Sequence, residues 1–265
     1  MAGPAGSGKS TLAKAVGVFL KAPVLDSKTD AIKRKNILSH QWRPTLMPHH
    51  SASPVSLIGG GDPPFAGEIT KAHGGVLILD EYLEFHPYVQ ESLRGPLQEK
   101  KVRITRGRSG RELPCDALVV ATTNLCPCGK WSPGRVVGCA YSLRRCRSVL
   151  EKLSGPVLDR FEILFYKESR GRATRQKGAE ILSHLERVWA FQQAHPRGDL
   201  TPEESQWMQI YFSDSLWSER RKKACLRVAR SFADLDLTPK LDSIHFEKAF
   251  EWTCSSFLKL QKGMG

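Results

Sequence analysis

Gly3-Pro4-Ala5-Gly6-Ser7-Gly8-Lys9-Ser10 is the stretch that decides the fold. It meets the phosphate-loop pattern G-x-x-x-x-G-K-[ST] at every required position. Glycines let backbone N–H groups curl around phosphate oxygens, Lys9 reaches the β/γ oxygens, and the Ser10 hydroxyl can ligate Mg2+. Thr11-Leu12-Ala13-Lys14-Ala15-Val16 continues as a helix whose positive end faces the anion. Working outward, Val76-Leu77-Ile78-Leu79-Asp80-Glu81 reads as a buried strand that ends in two carboxylates. Asp80 can hold the Mg2+ hydration shell, and Glu81 can orient or deprotonate an attacking water. The bland alternative is a buried strand with acidic punctuation. A second apolar run, Ala117–Thr123, ends at Asn124, whose amide can sense a γ-phosphate or the water.

The rest of the chain divides in two. Short β-branched runs alternate with helical patterns as far as Lys167, which predicts α/β architecture with a parallel sheet. Lys167-Glu168-Ser169-Arg170-Gly171-Arg172 reads as a linker, and everything after it reads as helix. Thr201-Pro202-Glu203-Glu204 carries a capping box. Cys225, Val228, Phe232 and Leu235 form an apolar stripe, with Arg220, Lys223, Arg227 and Arg230 on another face. A last helix is expected from Asp242 to Phe257, with Ile244, Ala249 and Trp252 on its buried side. The expected domains are an α/β core over 1–167 and a helical bundle over 172–265.

Composition narrows the function. The 265 residues hold 40 Lys and Arg against 27 Asp and Glu, a net charge of +13. That suits a polyanionic partner such as nucleic acid, although a basic surface without a specific partner fits equally. No apolar run approaches membrane-spanning length, and no secretory signal opens the chain, so a soluble cytoplasmic protein is expected. Seven cysteines, an odd number in such a chain, argue against a disulfide framework. Lys100–Arg111 alternates Val102 and Ile104 with Arg103 and Thr105, and its glycines Gly107 and Gly110 mark a hairpin turn. His49 and His50 show no ligand spacing and read as packing residues or contacts within the segment that follows.

The order of these motifs resembles the AAA+ family, and the segments between them narrow it to the magnesium chelatase-like branch, YifB/ComM type. Pro48-His49-His50-Ser51-Ala52-Ser53, Gly59-Gly60-Gly61, Gly67-Glu68-Ile69, Ala72–Glu81, Cys126-Pro127-Cys128-Gly129, Leu153–Phe161 and Arg227–Leu235 are similar to that branch's signatures. The resemblance implies a P-loop AAA+ core with a C-terminal helical lid, using ATP and Mg2+. Arg160 matches the arginine finger that reaches a neighbouring subunit, against a surface salt bridge as the alternative. Arg220 matches the lid's sensor arginine, with Arg221 competing for the register. A finger supplied in trans implies a ring, typically a hexamer. The hairpin's position implies a place in the ring's pore, where Arg103, Arg106, Arg108 and Arg111 would meet a DNA backbone, or else a solvated hairpin that touches nothing. Cys126, Cys128, Cys139 and Cys146 can offer four thiolates to Zn2+. Their spacing is irregular, because Tyr141 stands where relatives carry the second cysteine of a close pair, and reduced thiols are the alternative.

Two departures from the branch are expected to matter. Its members carry a further domain ahead of the core, and their central first strand precedes the phosphate loop, whereas this sequence begins two residues before it. A fragment, or a start further upstream, is therefore expected. Three functions follow from the residues and the resemblance: a DNA-dependent helicase or translocase motor, the ATPase motor of a metal-chelatase complex acting on a protein, or an inactive nucleotide-binding remnant.

Overall fold

The computed structural model describes residues 1–21, 29–40, 42–106, 109–129, 141–142, 144–145, 148–149, 152, 158–167, 177–213 and 217–256. The chain forms two units, Met1–Lys130 and Trp131–Gly265.

In the first unit, α1 (Lys9–Val18) and α2 (Ala31–His40) lead to β1 (Thr45–Leu46), α3 (Pro54–Ile58), β2 (Gly59–Gly60) and β3 (Phe65–Ala66). Then come α4 (Glu68–Lys71), β4 (Val76–Leu79), α5 (Pro87–Ser92), α6 (Arg94–Glu99), β5 (Lys101–Arg106), β6 (Ser109–Pro114) and β7 (Leu118–Ala121). The main sheet is parallel, in the order β1-β4-β7, as the alternation of strand and helix predicts. All four residues of β4 are buried, which is why its sequence is an unbroken apolar run instead of an alternating one. Helix α1 packs on this strand through Ala13, against Val76 and Ile78. Gly17 permits the approach, since a Cβ there would collide with Thr45 Oγ1 on β1.

Strand β7 differs from β4. Leu118 is exposed, and Val119 to Ala121 are half-buried. On its far side, among the described residues, β7 meets only the stretch before the phosphate loop. Ala2 bridges Thr123 in parallel fashion. Met1 N donates to Ala121 O at 2.7 Å, and Thr123 N donates to Met1 O at 3.0 Å. Residues Met1–Gly3 thus lie where the sequence predicts the strand that enters the loop.

β5 and β6 form the expected hairpin, pairing from Lys101 with Pro114 to Arg106 with Ser109. Val102, Ile104 and Leu113 are buried on its inner face, and Arg103 and Glu112 face outward; Arg111, paired with Ile104 toward the turn, is exposed.

The second unit is helical: α7 (Gly178–Ala194), α8 (Pro202–Tyr211), α9 (Glu219–Leu235) and α10 (Ser243–Phe250), which runs into a π turn over Glu251–Ser255. Cys225, Val228, Phe212, Phe246 and Ala249 form its core, with Trp207 and Tyr211 packed around Phe246 and Phe250 against Tyr211 and Phe212. The capping box at Thr201 and Glu204 is present as expected. One expectation fails: Ile244 is 52% exposed and Trp252 37%, so they do not form the buried side of α10. His245 is responsible. Its Nδ1 accepts the Asp242 N–H at 3.0 Å and its Nε2 lies 3.2 Å from Asp236 Oδ2. That fixes the first turn so that Phe246 faces the core and Ile244 faces water. No described helix is long and apolar enough to cross a membrane.

Candidate functional site

The phosphate loop closes into α1 through Gly6 and Gly8, whose φ angles of 70° and 82° lie in the left-handed region that side chains disfavour. Gly8 is the residue before the helix, so its conformation aims the first-turn N–H groups of α1 into the loop. Ala5 N donates to Gly129 O at 3.1 Å, which ties the loop to the Cys126-Pro127-Cys128-Gly129 turn. Lys9 is 7% exposed. Its ammonium donates to Gly3 O at 3.0 Å, Pro4 O at 2.8 Å and Asn124 Oδ1 at 2.9 Å. Burial pushes Lys9 below its ordinary pKa, partly opposed by the nearby charges of Asp80 and Glu81.

The two carboxylates stand where β4 ends. Ser10 Oγ donates to Asp80 Oδ1 at 2.9 Å, which places two hard oxygens together. The structure adds a residue that the sequence reading missed. Thr122, 1% exposed at the end of β7, donates its hydroxyl to Asp80 Oδ1 and accepts the Glu81 N–H at 3.2 Å. Its carbonyl accepts Tyr82 N at 2.8 Å. Glu81 sits at φ 53°, an unusual place for a side-chain-bearing residue, and Thr122 grips the backbone on both sides of that kink. Nothing in the run Ala117–Thr123 marks Thr122, because its partners come from a neighbouring strand.

The residues of this unit fit a nucleotide and its metal ion. The Ser7 hydroxyl is buried in the loop with no hydrogen-bond partner among the described residues, a donor left for a phosphate oxygen. The Ser10 hydroxyl and the Asp80 carboxylate are hard oxygens of the kind that Mg2+ takes. Gly3, Pro4, Ala5, Gly6 and Thr11 complete the loop and first turn as expected, with Thr11 exposed on α1.

Arg160 and Arg220 belong to the second unit. There the two adjacent arginines have different surroundings. Arg221 is 1% exposed and donates to Leu158 O at 2.6 Å, Phe161 O at 2.9 Å and Thr253 O at 3.2 Å. It braces the unit internally. Arg220 is partly exposed, with Nη1 3.8 Å from Asp159 Oδ2. On the hairpin, Arg103 shares Glu112 with Lys101, at 3.1 Å and 2.7 Å, and Arg111 is exposed. Arg108 and the side chain of Arg106 lie outside the described residues.

Cys126 Sγ and Cys128 Sγ lie 3.2 Å apart. Cys139 and Cys146, the other expected zinc ligands, lie outside the described residues, and among the described residues no group of three or more His, Cys, Asp or Glu is placed to hold a metal ion. Cys115, Cys225 and Cys254 are buried, as small core residues should be.

Residues 1–174 match the family model of magnesium chelatase, subunit ChlI. The chain is 31% identical to the uncharacterized protein YifB of Escherichia coli (strain K12), over 94% of this chain and 54% of the relative. It is 35% identical to the competence protein ComM of Haemophilus influenzae, over 61% of this chain and 32% of the relative. An uncharacterized Mycobacterium tuberculosis protein, Rv2897c, is 30% identical over 79% of this chain and 46% of its own length. The chain spans about half the length, or less, of the curated relatives it matches.

Proposed function

The chain belongs to the magnesium chelatase (ChlI) family of AAA+ proteins, in its YifB/ComM-type branch, and on that premise we propose that it binds ATP with Mg2+ and hydrolyses it to drive movement on DNA. The observation that carries the reading is the cluster Lys9, Ser10, Asp80, Glu81, Thr122 and Asn124, drawn together from three elements. Loop N–H groups and Ser7 bind the phosphates, and Lys9 exchanges its carbonyl partners for the β/γ oxygens. Ser10 and Asp80 would hold Mg2+, which would offset charge on the phosphate oxygens. Glu81 takes the proton of the attacking water as the water's oxygen bonds to the γ-phosphorus and the bond to the β-phosphate oxygen breaks. Asn124 orients that water. Arg160 of a neighbouring copy and Arg220 of the lid offset the charge that develops, which requires a ring, read as a hexamer. In this reading residues 1–167 act as core and 172–265 as lid.

DNA as the track rests on the net charge of +13 and on the exposed hairpin arginines Arg103 and Arg111. The test is ATP turnover by the purified chain with and without single-stranded DNA, beside Glu81→Gln. DNA-stimulated turnover that disappears in the variant supports the reading. Turnover indifferent to DNA favours the second reading, a chelatase-type motor on a protein partner, for which the support is the match to the magnesium chelatase family model. Nucleotide binding without turnover in either condition would leave the inactive remnant.

A further inference from the structure

Leu158-Asp159-Arg160-Phe161 is a turn, closed by Phe161 N donating to Leu158 O at 3.1 Å, with Arg160 at its third position. The backbone of such a turn sets where the side chain at its apex can reach. Arg221, the neighbour of the sensor arginine on α9, holds both ends. Its Nη2 donates to Leu158 O at 2.6 Å and its Nη1 to Phe161 O at 2.9 Å. The residue before Arg160 is held too: Asp159 Oδ1 accepts Ser218 Oγ at 2.8 Å and lies 3.5 Å from Arg221 Nε. Ser218 in turn caps α9 by accepting Arg221 N at 3.1 Å. The π turn supplies a further side of this cage. Arg221 Nη1 donates to Thr253 O at 3.2 Å, and Leu164 N donates to Trp252 O at 2.9 Å. Two successive carbonyls of a rare helical geometry thus meet the guanidinium and the chain that leaves the turn.

We propose that Arg221 is a positioning residue for Arg160, clamping the turn from which that side chain reaches a neighbouring copy. The role rests on the reading of Arg160 as a finger supplied in trans. Arg221 is 1% exposed, so it meets no phosphate itself. Burying a guanidinium is costly unless oxygens surround it, and an apolar side chain would fill the same space at less cost. What only arginine offers here is a planar fork that spans two carbonyls, which an ammonium cannot do. A misplaced finger harms the neighbour's γ-phosphate site and not the site of the chain that carries it. A residue that merely stabilised its own unit would show no such displacement of the defect.

The experiment compares wild type, Arg221→Met, Arg221→Lys, Arg160→Ala and Glu81→Gln in the full chain, alone and in mixtures. ATP turnover, affinity for a fluorescent nucleotide, melting temperature and amide exchange at Phe161 are read. We expect Arg221→Met to lower kcat roughly 10-fold with nucleotide affinity within about 2-fold. Arg221→Lys keeps the charge without the fork and should fall in between; it is the variant to read should Arg221→Met fail to fold. Glu81→Gln has a dead site and an intact finger. In an equal mixture it should raise turnover per Arg221→Met chain roughly 5-fold, since half of those sites then meet a sound finger. Arg160→Ala should be rescued in the same way. The Phe161 amide should exchange faster in both Arg221 variants. Unchanged kcat, or a loss that the mixture does not rescue while Arg160→Ala is rescued, would overturn the positioning role. An Arg160→Ala chain that is unimpaired or beyond rescue would instead sink the finger reading and the kinetic role with it. Phe161 exchange would still decide whether Arg221 holds the turn, and unchanged exchange would overturn the clamp.

Discussion

Lys9 and Arg230 are both cations withdrawn from water, and they are held in opposite ways. Lys9 rests on neutral oxygens: two loop carbonyls and the amide of Asn124. Burial pushes its pKa down. Arg230 is clasped by both oxygens of Glu204, at 2.9 Å and 2.7 Å, and by the carbonyls of Gly198 and Asp199 at 3.1 Å each. Those hydrogen bonds to Glu204 outweigh burial and push its pKa up. The first cation has, among the described residues, no carboxylate in contact, which leaves its charge ready for a polyanion. The second is committed to the fold. The same contrast covers their neighbours: Asp80 is held by hydroxyls that suit a metal ion, while Asp234 is bound by Arg197 and Gln192 at 2.7 Å and 3.0 Å.

The largest expected effect tests the exchangeable side. Lys9→Ala should lower ATP turnover by roughly 10²- to 10³-fold, as loss of a charge-stabilising donor does. Its melting temperature should hold or rise slightly, because a desolvated ammonium has been removed. Paired turnover and melting measurements check this, and a large fall in melting temperature would mean that Lys9 is structural after all. Arg230→Met is the counterpart. It leaves Glu204, 3% exposed, as a buried carboxylate without its guanidinium, and should cost about 3 kcal/mol by denaturant unfolding while nucleotide affinity stays put.

Acid should reveal the same commitment. Burial pushes the Glu204 carboxyl up, but Arg230 and the Thr201 N–H outweigh it and hold the carboxyl below its ordinary value. A depressed carboxyl adds stability that is complete above the ordinary glutamate range and is lost as pH falls through the native value. The Arg230→Met variant should therefore lose less stability on acidification than wild type.

What the sequence makes legible follows the reach of its signals. The phosphate loop, Asp80 with Glu81, and the capping box of Thr201 and Glu204 are contiguous patterns whose physics is local, and each sits where expected. Thr122 escapes because its importance comes from register between strands far apart in sequence. Ile244 misleads for a related reason: a side-chain cap from His245 rotates the helix it begins. The pair Arg220 and Arg221 could be separated only by burial, which no spacing between two identical neighbours records.

Thr122→Val sharpens the comparison further, since it changes one hydroxyl and almost no volume. The partly buried Glu81 N–H would lose its acceptor and Asp80 one of its donors. We expect about 1–2 kcal/mol of lost stability and roughly 10-fold lower turnover. Loss of stability alone would place Thr122 with the committed groups, and loss of turnover alone with the exchangeable ones.

The smallest effect asks whether the same division exists inside one hairpin. Arg103 and Arg111 lie on facing strands and both reach water, but Arg103 shares Glu112 with Lys101, and that carboxyl is held below its ordinary pKa by those two partners. An arginine that must first leave a carboxylate gains less from a phosphate, and its release of counterions is partly cancelled. If the hairpin binds single-stranded DNA, Arg111→Gln should reduce the slope of log affinity against log salt by about 0.7, the value for one phosphate contact on a single strand. Arg103→Gln should reduce it by distinctly less. Equal reductions would show that Glu112 yields Arg103 at no cost, and two unchanged slopes would take the hairpin out of the DNA-binding surface.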